Sequence, residues 1–330
     1  MTSFVILGAT DQLASLGGNP IMIEVRDLSK RYGDTLAVDQ LTFDIPPGHV
    51  TGFLGPNGAG KSTTMRLILG LDGASSGSVS VNGRHYRHIH RPLCEVGALL
   101  EARGIHPGRS ARNHLLTLAL ANGIEKSRVD EVLDVVGLRS VAHKRAGGFS
   151  LGMNQRLGIA AALLGDPDIL LLDEPVNGLD PEGIIWIRTL LRGLAAEGRT
   201  VLLSSHLMSE MALTADRLVV IGKGRLIAET TVDDFISRSS GNSVRVRSPE
   251  LARLQAVLAP FATSVVATED GALLVHGADC PTVADAAFDA GIRVHELVAE
   301  TASLEDAYLE LTQESVQYRP DQSTPIHSAN

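Results

Sequence analysis

The chain has 330 residues, 44% of them hydrophobic, and a formal net charge of −9 at neutral pH. The hydrophobic content is that of a globular protein with a buried core, and the length suits one large domain or two. The negative net charge excludes a global basic field for nucleic acid. The two cysteines, Cys94 and Cys280, lie far apart, which argues against a disulfide framework and a zinc site.

The first residues predict a flexible leader over 1–20, with weak periodicity and a Gly-Gly-Asn-Pro end. They lack the basic segment of a secretory signal, and no apolar run approaches the roughly 18 residues of a membrane span. We therefore expect a cytoplasmic chain.

Alternating strands and helices are predicted from residue 21 to residue 238. Strand patterns lie at 21–28, 41–45, 49–55, 77–83, 95–100, 168–173, 200–205 and 217–229, and helical patterns at 61–70, 113–122, 128–138, after Ser150, at 181–198, from 206, and at 231–239. This alternation predicts an α/β domain with a parallel or mixed sheet. The helical block predicts a subdomain over about 103–160.

A second, smaller domain is predicted over residues 241–312, after the Ser-Ser-Gly break. Its segments are strand 243–247, helix 249–259, strands 263–269 and 272–277, helix 281–291, strand 292–298 and a closing amphipathic helix 303–312. The order β-α-β-β-α-β predicts a small α+β, ferredoxin-like domain. The Ser-, Gln- and Pro-rich residues 313–330 predict a disordered tail.

A phosphate-binding loop is predicted where "GPNGAGKST" lies between a strand and a helix, because it fits G-x-x-x-x-G-K-[ST] in the right context. Backbone N–H groups of such a loop wrap the β-phosphate, the lysine reaches the β- and γ-phosphates, and the serine ligates Mg²⁺. The predicted nucleotide-binding residues here are Gly55, Pro56, Asn57, Gly58, Ala59, Gly60, Lys61, Ser62 and Thr63. The sequence therefore predicts ATP and Mg²⁺ as ligands.

Two carboxylates end the apolar strand "ILLLDEP". Asp173 is placed to hold the Mg²⁺ shell, and Glu174, pointing to the other side, to polarise the attacking water as a base. Acidic residues at the loop end of a buried strand are common by themselves. Beside a phosphate loop, the catalytic interpretation is favoured.

A second anion site is predicted in "FSLGMNQRLG", where Ser150 and the N–H of Gly152 open a helix. The simpler interpretation of Ser150 is a helix N-cap, and the residue can serve both purposes. In contrast, the histidines and arginines of residues 83–92 lack acidic or cysteine neighbours, so they predict a solvated surface and no metal site.

The phosphate loop, "SLGMNQR", "LLLDEP", "NGLD" and "SSH", in this order, resemble the nucleotide-binding domain of ABC transporters over about residues 22–235. The most similar variant is that of daunorubicin- and bacitracin-resistance exporters, which also have S-x-G-M-x-Q-R and a "LEDAYLEL"-like C-terminal helix. The resemblance implies that two chains sandwich two ATP molecules head to tail. Ser150 and Gly152 of each chain would then face the γ-phosphate held by the other.

The resemblance also implies roles for isolated residues. His206 would be the switch histidine at the γ-phosphate, Asp180 would touch the partner's phosphate loop, and Tyr32 would stack on adenine. Glu101 stands where the family usually has a glutamine that ligates Mg²⁺ and senses the membrane partner. A carboxylate can still ligate Mg²⁺, and the change is interpreted as a trait of the exporter subfamily.

The signature departs from the family pattern at Phe149, Leu151 and Met153, while the serine and the second glycine remain. The implied function is the ATPase subunit of an exporter, on the inner membrane face, with a separate permease and a second copy of the chain as partners and no nucleic acid. One alternative is a soluble ABC-type ATPase without a permease; the chain carries one cassette and no long coiled coil, which counts against ribosomal and chromosomal members. Another is a drug-sequestering resistance protein.

Overall fold

The computed structural model describes residues 23–100, 104–237 and 243–312. The predicted leader and tail, Glu101 and the Ser-Ser-Gly break lie outside these ranges. Among the described residues, no helix is both long and apolar enough to cross a bilayer.

A six-stranded mixed sheet forms the centre of the large domain. Its strands, in chain order, are β3 (Val50–Leu54), β5 (Val96–Leu99), β6 (Ile169–Asp173), β7 (Thr200–Ser204), β8 (Arg217–Gly222) and β9 (Arg225–Thr231). Their spatial order is β5-β6-β7-β3-β8-β9, parallel except for the antiparallel edge strand β9. The strands β3 and β7 are buried along their whole length, as expected for parallel strands covered on both faces.

A three-stranded antiparallel sheet lies against the central one. It consists of β1 (Ile23–Tyr32), β2 (Thr35–Ile45) and β4 (Ser76–Val81) in the order β2-β1-β4. Its apolar side chains share a core with β3 and with helix α1 (Lys61–Ile68). Because α1 starts directly after β3, this packing fixes the loop between them.

Helices on the other side of the central sheet include the predicted helical subdomain. The helices in this part are α2 (Pro92–Glu95), α3 (Ala111–Ala121), α4 (Lys126–Val135), α5 (Leu151–Leu163), α6 (Pro181–Ala196), α7 (Met208–Thr214) and α8 (Val232–Ser237). Serine side chains cap two of them: Ser110 accepts from Asn113 N at 3.2 Å, and Ser150 accepts from Met153 N at 3.2 Å.

The small domain has its own sheet and its own core. Its elements are β10 (Ser243–Arg247), α9 (Leu251–Leu258), β11 (Ser264–Ala267), β12 (Leu273–His276), α10 (Cys280–Asp289) and β13 (Glu296–Glu300). The sheet is antiparallel with the order β11-β12-β10-β13, so each β-α-β unit encloses a strand of the other. The β-α-β-β-α-β order is present; the ferredoxin-like assignment stays a prediction.

The last helix, α11 (Leu304–Thr312), differs from the expectation that it closes the small domain. It packs on α7 and α8. Its buried residues Leu304, Ala307 and Tyr308 join the hydrophobic core of the large domain, which also contains Met211 and Phe235. The amphipathic pattern predicted a buried face, but that face packs on the large domain.

Candidate nucleotide-binding site

The predicted phosphate loop connects β3 to α1, as the sequence implied. Gly60 precedes the helix with φ of 104°, and a Cβ there would lie 2.5 Å from the carbonyl oxygen of Ala37. Only glycine therefore fits this position without displacing the backbone. The N-terminus of α1 is left facing the loop, which is a favourable arrangement for an anion.

A cavity of about 300 Å³ opens at this helix N-terminus. Most of the predicted phosphate-loop residues and both carboxylates of the following strand meet there. Its lining consists of Ala37, Asn57, Gly58, Gly60, Lys61, Ser62, Thr63, Asp173 and Glu174. The remaining loop residues, Gly55, Pro56 and Ala59, do not line the cavity. Within the loop, Ala59 N donates to Pro56 O at 3.0 Å.

Lys61 folds back over the loop. Its Nζ donates to the carbonyl oxygens of Gly55 at 2.5 Å and of Pro56 at 3.3 Å. Burial lowers the pKa of Lys61, and the nearby Glu174 and Asp173 oppose this shift. A desolvated ammonium group gains from an anionic ligand, and the open side of the cavity offers room for one.

Oxygen ligands suited to Mg²⁺ meet at the end of β6. Ser62 Oγ donates to Asp173 Oδ2 at 2.7 Å, and Ser204 Oγ donates to Asp173 Oδ1. No group of three or more His, Cys, Asp or Glu side chains that could by itself hold a metal ion occurs within the described ranges. Mg²⁺ is commonly held by one or two carboxylates together with substrate phosphates, so a carboxylate and a hydroxyl beside a phosphate cavity fit this ion.

The backbone of Glu174 is left-handed, with φ of 52°. Such a φ is uncommon for a non-glycine residue and needs support from its surroundings. Glu174 N donates to Ser204, at 3.1 Å from Oγ and 3.2 Å from O. The turn aims the carboxylate at His206, whose Nδ1 lies 2.7 Å from Glu174 Oε2.

The predicted signature residues lie outside this cavity in the same chain. Ser150 and Gly152 open α5, and Ser150 is exposed. Asp180 caps α6 by accepting from Gly183 N at 3.0 Å, with 68% of its side chain exposed. None of the three lines the cavity formed by Lys61 and Glu174.

Tyr32 ends strand β1 with 46% of its surface exposed. Its hydroxyl donates to Asp72 Oδ2 at 2.8 Å, and Lys30 Nζ lies 4.8 Å from the ring centroid. Desolvation and the bond to Asp72 raise the pKa of the Tyr32 hydroxyl. Tyr32 does not line the phosphate cavity.

Two site residues were not recognised from the sequence. Ser204 is fully buried and contacts both acidic residues, accepting from the backbone N–H of Glu174 and donating to the carboxylate of Asp173. Gln155 is 4% exposed, and its Nε2 donates to Glu174 O at 3.0 Å. The available signals were the first serine of "SSH" for Ser204 and a polar residue on a buried helix face for Gln155. Neither signal indicates which residue is the hydrogen-bond partner.

Comparison with known proteins agrees with this geometry. The family model described as ABC transporter matches residues 38–177, which include the phosphate loop and both carboxylates. The chain is 37% identical over 299 residues to the uncharacterized ABC transporter ATP-binding protein YhcH of Bacillus subtilis (strain 168), with 89% of this chain and 97% of that protein covered. The chain belongs to the ABC transporter ATP-binding proteins. It is an ATP-binding ATPase of the type coupled to transport.

Other relatives of this ABC ATPase differ in the cargo that they are named for. Over 66% of this chain and 72% of the relative, it is 42% identical to the bacitracin transport ATP-binding protein BcrA of Bacillus licheniformis. Over 88% of this chain and 96% of the relative, it is 37% identical to the Nod factor export ATP-binding protein I of Burkholderia pseudomallei (strain 1710b). A second family model, a domain of unknown function, matches residues 242–305.

Solved structures of ABC ATPases share the fold. The structure described as the ATP binding subunit of an ABC transporter aligns with a TM-score of 0.61 at 29% identity, covering 66% of this chain and 92% of that one. The dimeric bacterial cassette MJ0796 aligns with a TM-score of 0.59 at 25% identity, covering 64% of this chain and 98% of that one.

Proposed function

We propose that this ABC ATPase is the energy-supplying subunit of an exporter for an antibiotic, a drug or a peptide. Two copies sandwich two Mg-ATP molecules head to tail and drive a separate transmembrane permease from the cytoplasmic face. The observation that carries the proposal is the contact of Glu174 with both His206 and the phosphate cavity. The signature residues of the same chain lie outside that cavity.

The chemistry of hydrolysis follows from the contacts around the cavity. Lys61 binds the β- and γ-phosphates in place of the two loop carbonyls that it now contacts. Ser62 and Asp173 would hold Mg²⁺, which would supply positive charge to neutralise the phosphate oxygens. Glu174 accepts the proton of the attacking water, and His206, 2.7 Å from its carboxylate, fixes the orientation of that base.

The second copy completes the site. The N-terminus of α5, with the exposed Ser150 and Leu151, presents a hydroxyl and unpaired N–H groups to the outside of the molecule. Such a terminus attracts the γ-phosphate held by another chain. The dimeric MJ0796 cassette supports this assembly, and Asp180, exposed at the start of α6, would meet the partner's phosphate loop.

The permease and its cargo are proposed from the relatives. BcrA and the Streptococcus pyogenes relative SrtF, 37% identical over 64% of this chain, are named for bacitracin and lantibiotic transport. Because another relative of similar identity is named for Nod factor export, the cassette itself does not define the cargo. Cargo contacts are assigned to the permease.

The test of hydrolysis is Glu174→Gln. The variant should bind ATP with the affinity of the wild type and form an ATP-dependent dimer. Its turnover should fall by ~10²–10⁴-fold, the contribution of a positioned base. Glu197→Gln, the same change at the exposed C-cap of α6, should leave turnover unaltered. Wild-type turnover in Glu174→Gln would mean that Glu174 is not the base.

The test of transport uses the same variant as bait. Tagged Glu174→Gln, loaded with Mg-ATP in membranes of the native host and gently solubilised, should retain a polytopic membrane protein, identified by mass spectrometry. Recovery of ribosomal or DNA-bound proteins with no membrane protein would contradict the exporter proposal and favour a soluble ATPase.

A further inference from the structure

One buried amide on the signature helix reaches the backbone of the base. Gln155 lies in the interior of α5 and is 4% exposed. Its Nε2 donates to the carbonyl oxygen of Glu174 at 3.0 Å. A buried amide is costly unless it is hydrogen-bonded, and Leu or Met would fill a similar volume. The bond to Glu174 gives a reason for an amide at this position.

The carbonyl that Gln155 contacts belongs to a residue whose backbone needs support. Glu174 has the left-handed φ of 52°, and its peptide groups are held on both sides. Ser204 accepts from its N–H, while Gln155 and Asn177 N, at 3.0 and 3.2 Å, donate to its carbonyl. Of these partners, only Gln155 comes from a helix outside the strand ends that form the cavity.

The start of the same helix packs against the segment after Glu174. A Cβ on Gly152 would lie 2.6 Å from Gly178 O, and a Cβ on Gly178 would lie 2.4 Å from Leu151 Cγ. This close packing allows α5 and the turn after β6 to move only together. Ser150 and Gln155 are separated by about 7.5 Å along the helix, at 1.5 Å per residue.

We propose that Gln155 is a positioning residue that sets the main chain of Glu174 from the signature helix. The inference rests on the proposed function of Glu174 as the base. It ties the base of one chain to the helix whose N-terminus meets the nucleotide bound by the other chain. Gln155 touches neither substrate nor metal in this arrangement and acts only through Glu174.

The experiment is a double-mutant cycle between Gln155→Met and Glu174→Gln. Methionine keeps the length and most of the volume of glutamine but cannot donate a hydrogen bond. In the wild-type background, kcat should fall by ~10–100-fold, because a displacement of about 1 Å at a reacting group costs on the order of 10²-fold. KM should change by less than twofold. In the Glu174→Gln background, measured by single turnover, Gln155→Met should add less than a twofold loss.

Gln255→Met is the matched control. Its amide also donates to a backbone carbonyl, Val265 O at 3.3 Å, but on the small domain. This variant should keep wild-type kcat. Gln155→Leu is a second variant of similar volume without a donor, and it should show the same loss as Gln155→Met. ATP-dependent dimerisation of Gln155→Met/Glu174→Gln should match that of Glu174→Gln alone.

Unchanged kcat in both Gln155 variants would overturn the inference, and so would an equal loss from Gln155→Met in both backgrounds. A raised KM or weakened dimerisation would also overturn it, because it would place Gln155 at the nucleotide. Wild-type turnover in Glu174→Gln would instead contradict the proposed function, so the two failures are distinguishable.

Discussion

At the residue scale, the adenine-binding role predicted for Tyr32 would depend on its ring and not on its hydroxyl. The ring is about half exposed and already lies beside a cation, Lys30, at 4.8 Å. Base–aromatic stacking contributes ~1–3 kcal/mol, which corresponds to about 5- to 150-fold in affinity. We expect Tyr32→Ala to raise the Kd for ATP within that range, measured by calorimetric titration.

The matched variant Tyr32→Phe keeps the ring and removes only the bond to Asp72. Its Kd for ATP should stay within twofold of the wild-type value. An unchanged Kd in Tyr32→Ala, or an equal loss in both variants, would contradict stacking on adenine.

The residues of the phosphate loop were predictable because their function is encoded in local spacing. Lys61 and Ser62 are fixed by a run of glycines between one strand and one helix, and the structure brings both to the cavity. Ser204 and Gln155 were not predictable, because their partners come from other elements. The pairing of β6 with β7 brings Ser204 to Asp173, and the packing of α5 brings Gln155 to the backbone of Glu174.

At the element scale, two helices begin with the same kind of serine cap. Comparing substitutions at the two serines distinguishes an effect on stability from an effect on catalysis. Ser150 caps α5 and Ser110 caps α3, each accepting a backbone N–H at 3.2 Å. Alanine at either position should cost ~0.5–2 kcal/mol of stability through the lost cap. Only Ser150→Ala should lower ATP hydrolysis, by tenfold or more, since the loss of one preorganised donor costs on the order of 10²–10³ in kcat.

The affinity of monomeric protein for ATP should be unchanged in both variants, because neither serine lines the cavity of its own chain. Stability is measured by urea unfolding and turnover by phosphate release. Equal loss of turnover in Ser110→Ala and Ser150→Ala would mean that Ser150 acts only as a helix cap and has no role in hydrolysis.

The last helix offers a test of which domain it stabilises. Leu304 is 2% exposed in the core of the large domain, whereas Leu309 on the same helix is 52% exposed. Leu304→Ala should cost ~2–5 kcal/mol. Leu309→Ala should stay within about 0.5 kcal/mol of the wild type.

The sole tryptophan of the chain, Trp186, provides the measurement. It lies on α6 and packs against the core of the large domain. Fluorescence of Trp186 during urea unfolding should therefore report the loss caused by Leu304→Ala. An unchanged unfolding midpoint in Leu304→Ala would mean that α11 does not stabilise the large domain and belongs to the small domain, as the sequence predicted.

Strand boundaries in the small domain show a limit of sequence patterns at this scale. The segment 292–298 was predicted to be a strand, but β13 is Glu296–Glu300. The bounds of β13 are set by its pairing with β10. The five residues of β10 pair from Arg247 with Glu296 to Ser243 with Glu300. Ile292 lies before the pairing begins and is buried in the core of the small domain instead.

At the scale of the whole molecule, the small domain has a hydrophobic core separate from those of the large domain, which predicts that the two domains unfold independently. Leu258 is fully buried in the core of the small domain. Leu258→Ala should cost ~2–5 kcal/mol in the unfolding of that domain. Affinity for ATP and the midpoint reported by Trp186 should be unchanged, because distant sites with no shared partners act additively.

The loss should appear in unfolding followed by circular dichroism, which also senses the small domain. Phe288→Ala, at a position 83% exposed on α10, is the control and should be neutral within about 0.5 kcal/mol. A parallel shift of the Trp186 signal in Leu258→Ala would mean that the two domains unfold as one unit.

The position of α11 has a consequence for synthesis on the ribosome. The surface that α11 covers on α7 and α8 is made long before α11 itself, and the whole small domain is translated in between. Domains of a nascent chain generally fold in the order in which they emerge. This large domain cannot complete its core in that order. The apolar surface on α7 and α8 stays exposed, and accessible to chaperones, until α11 has left the exit tunnel of the ribosome.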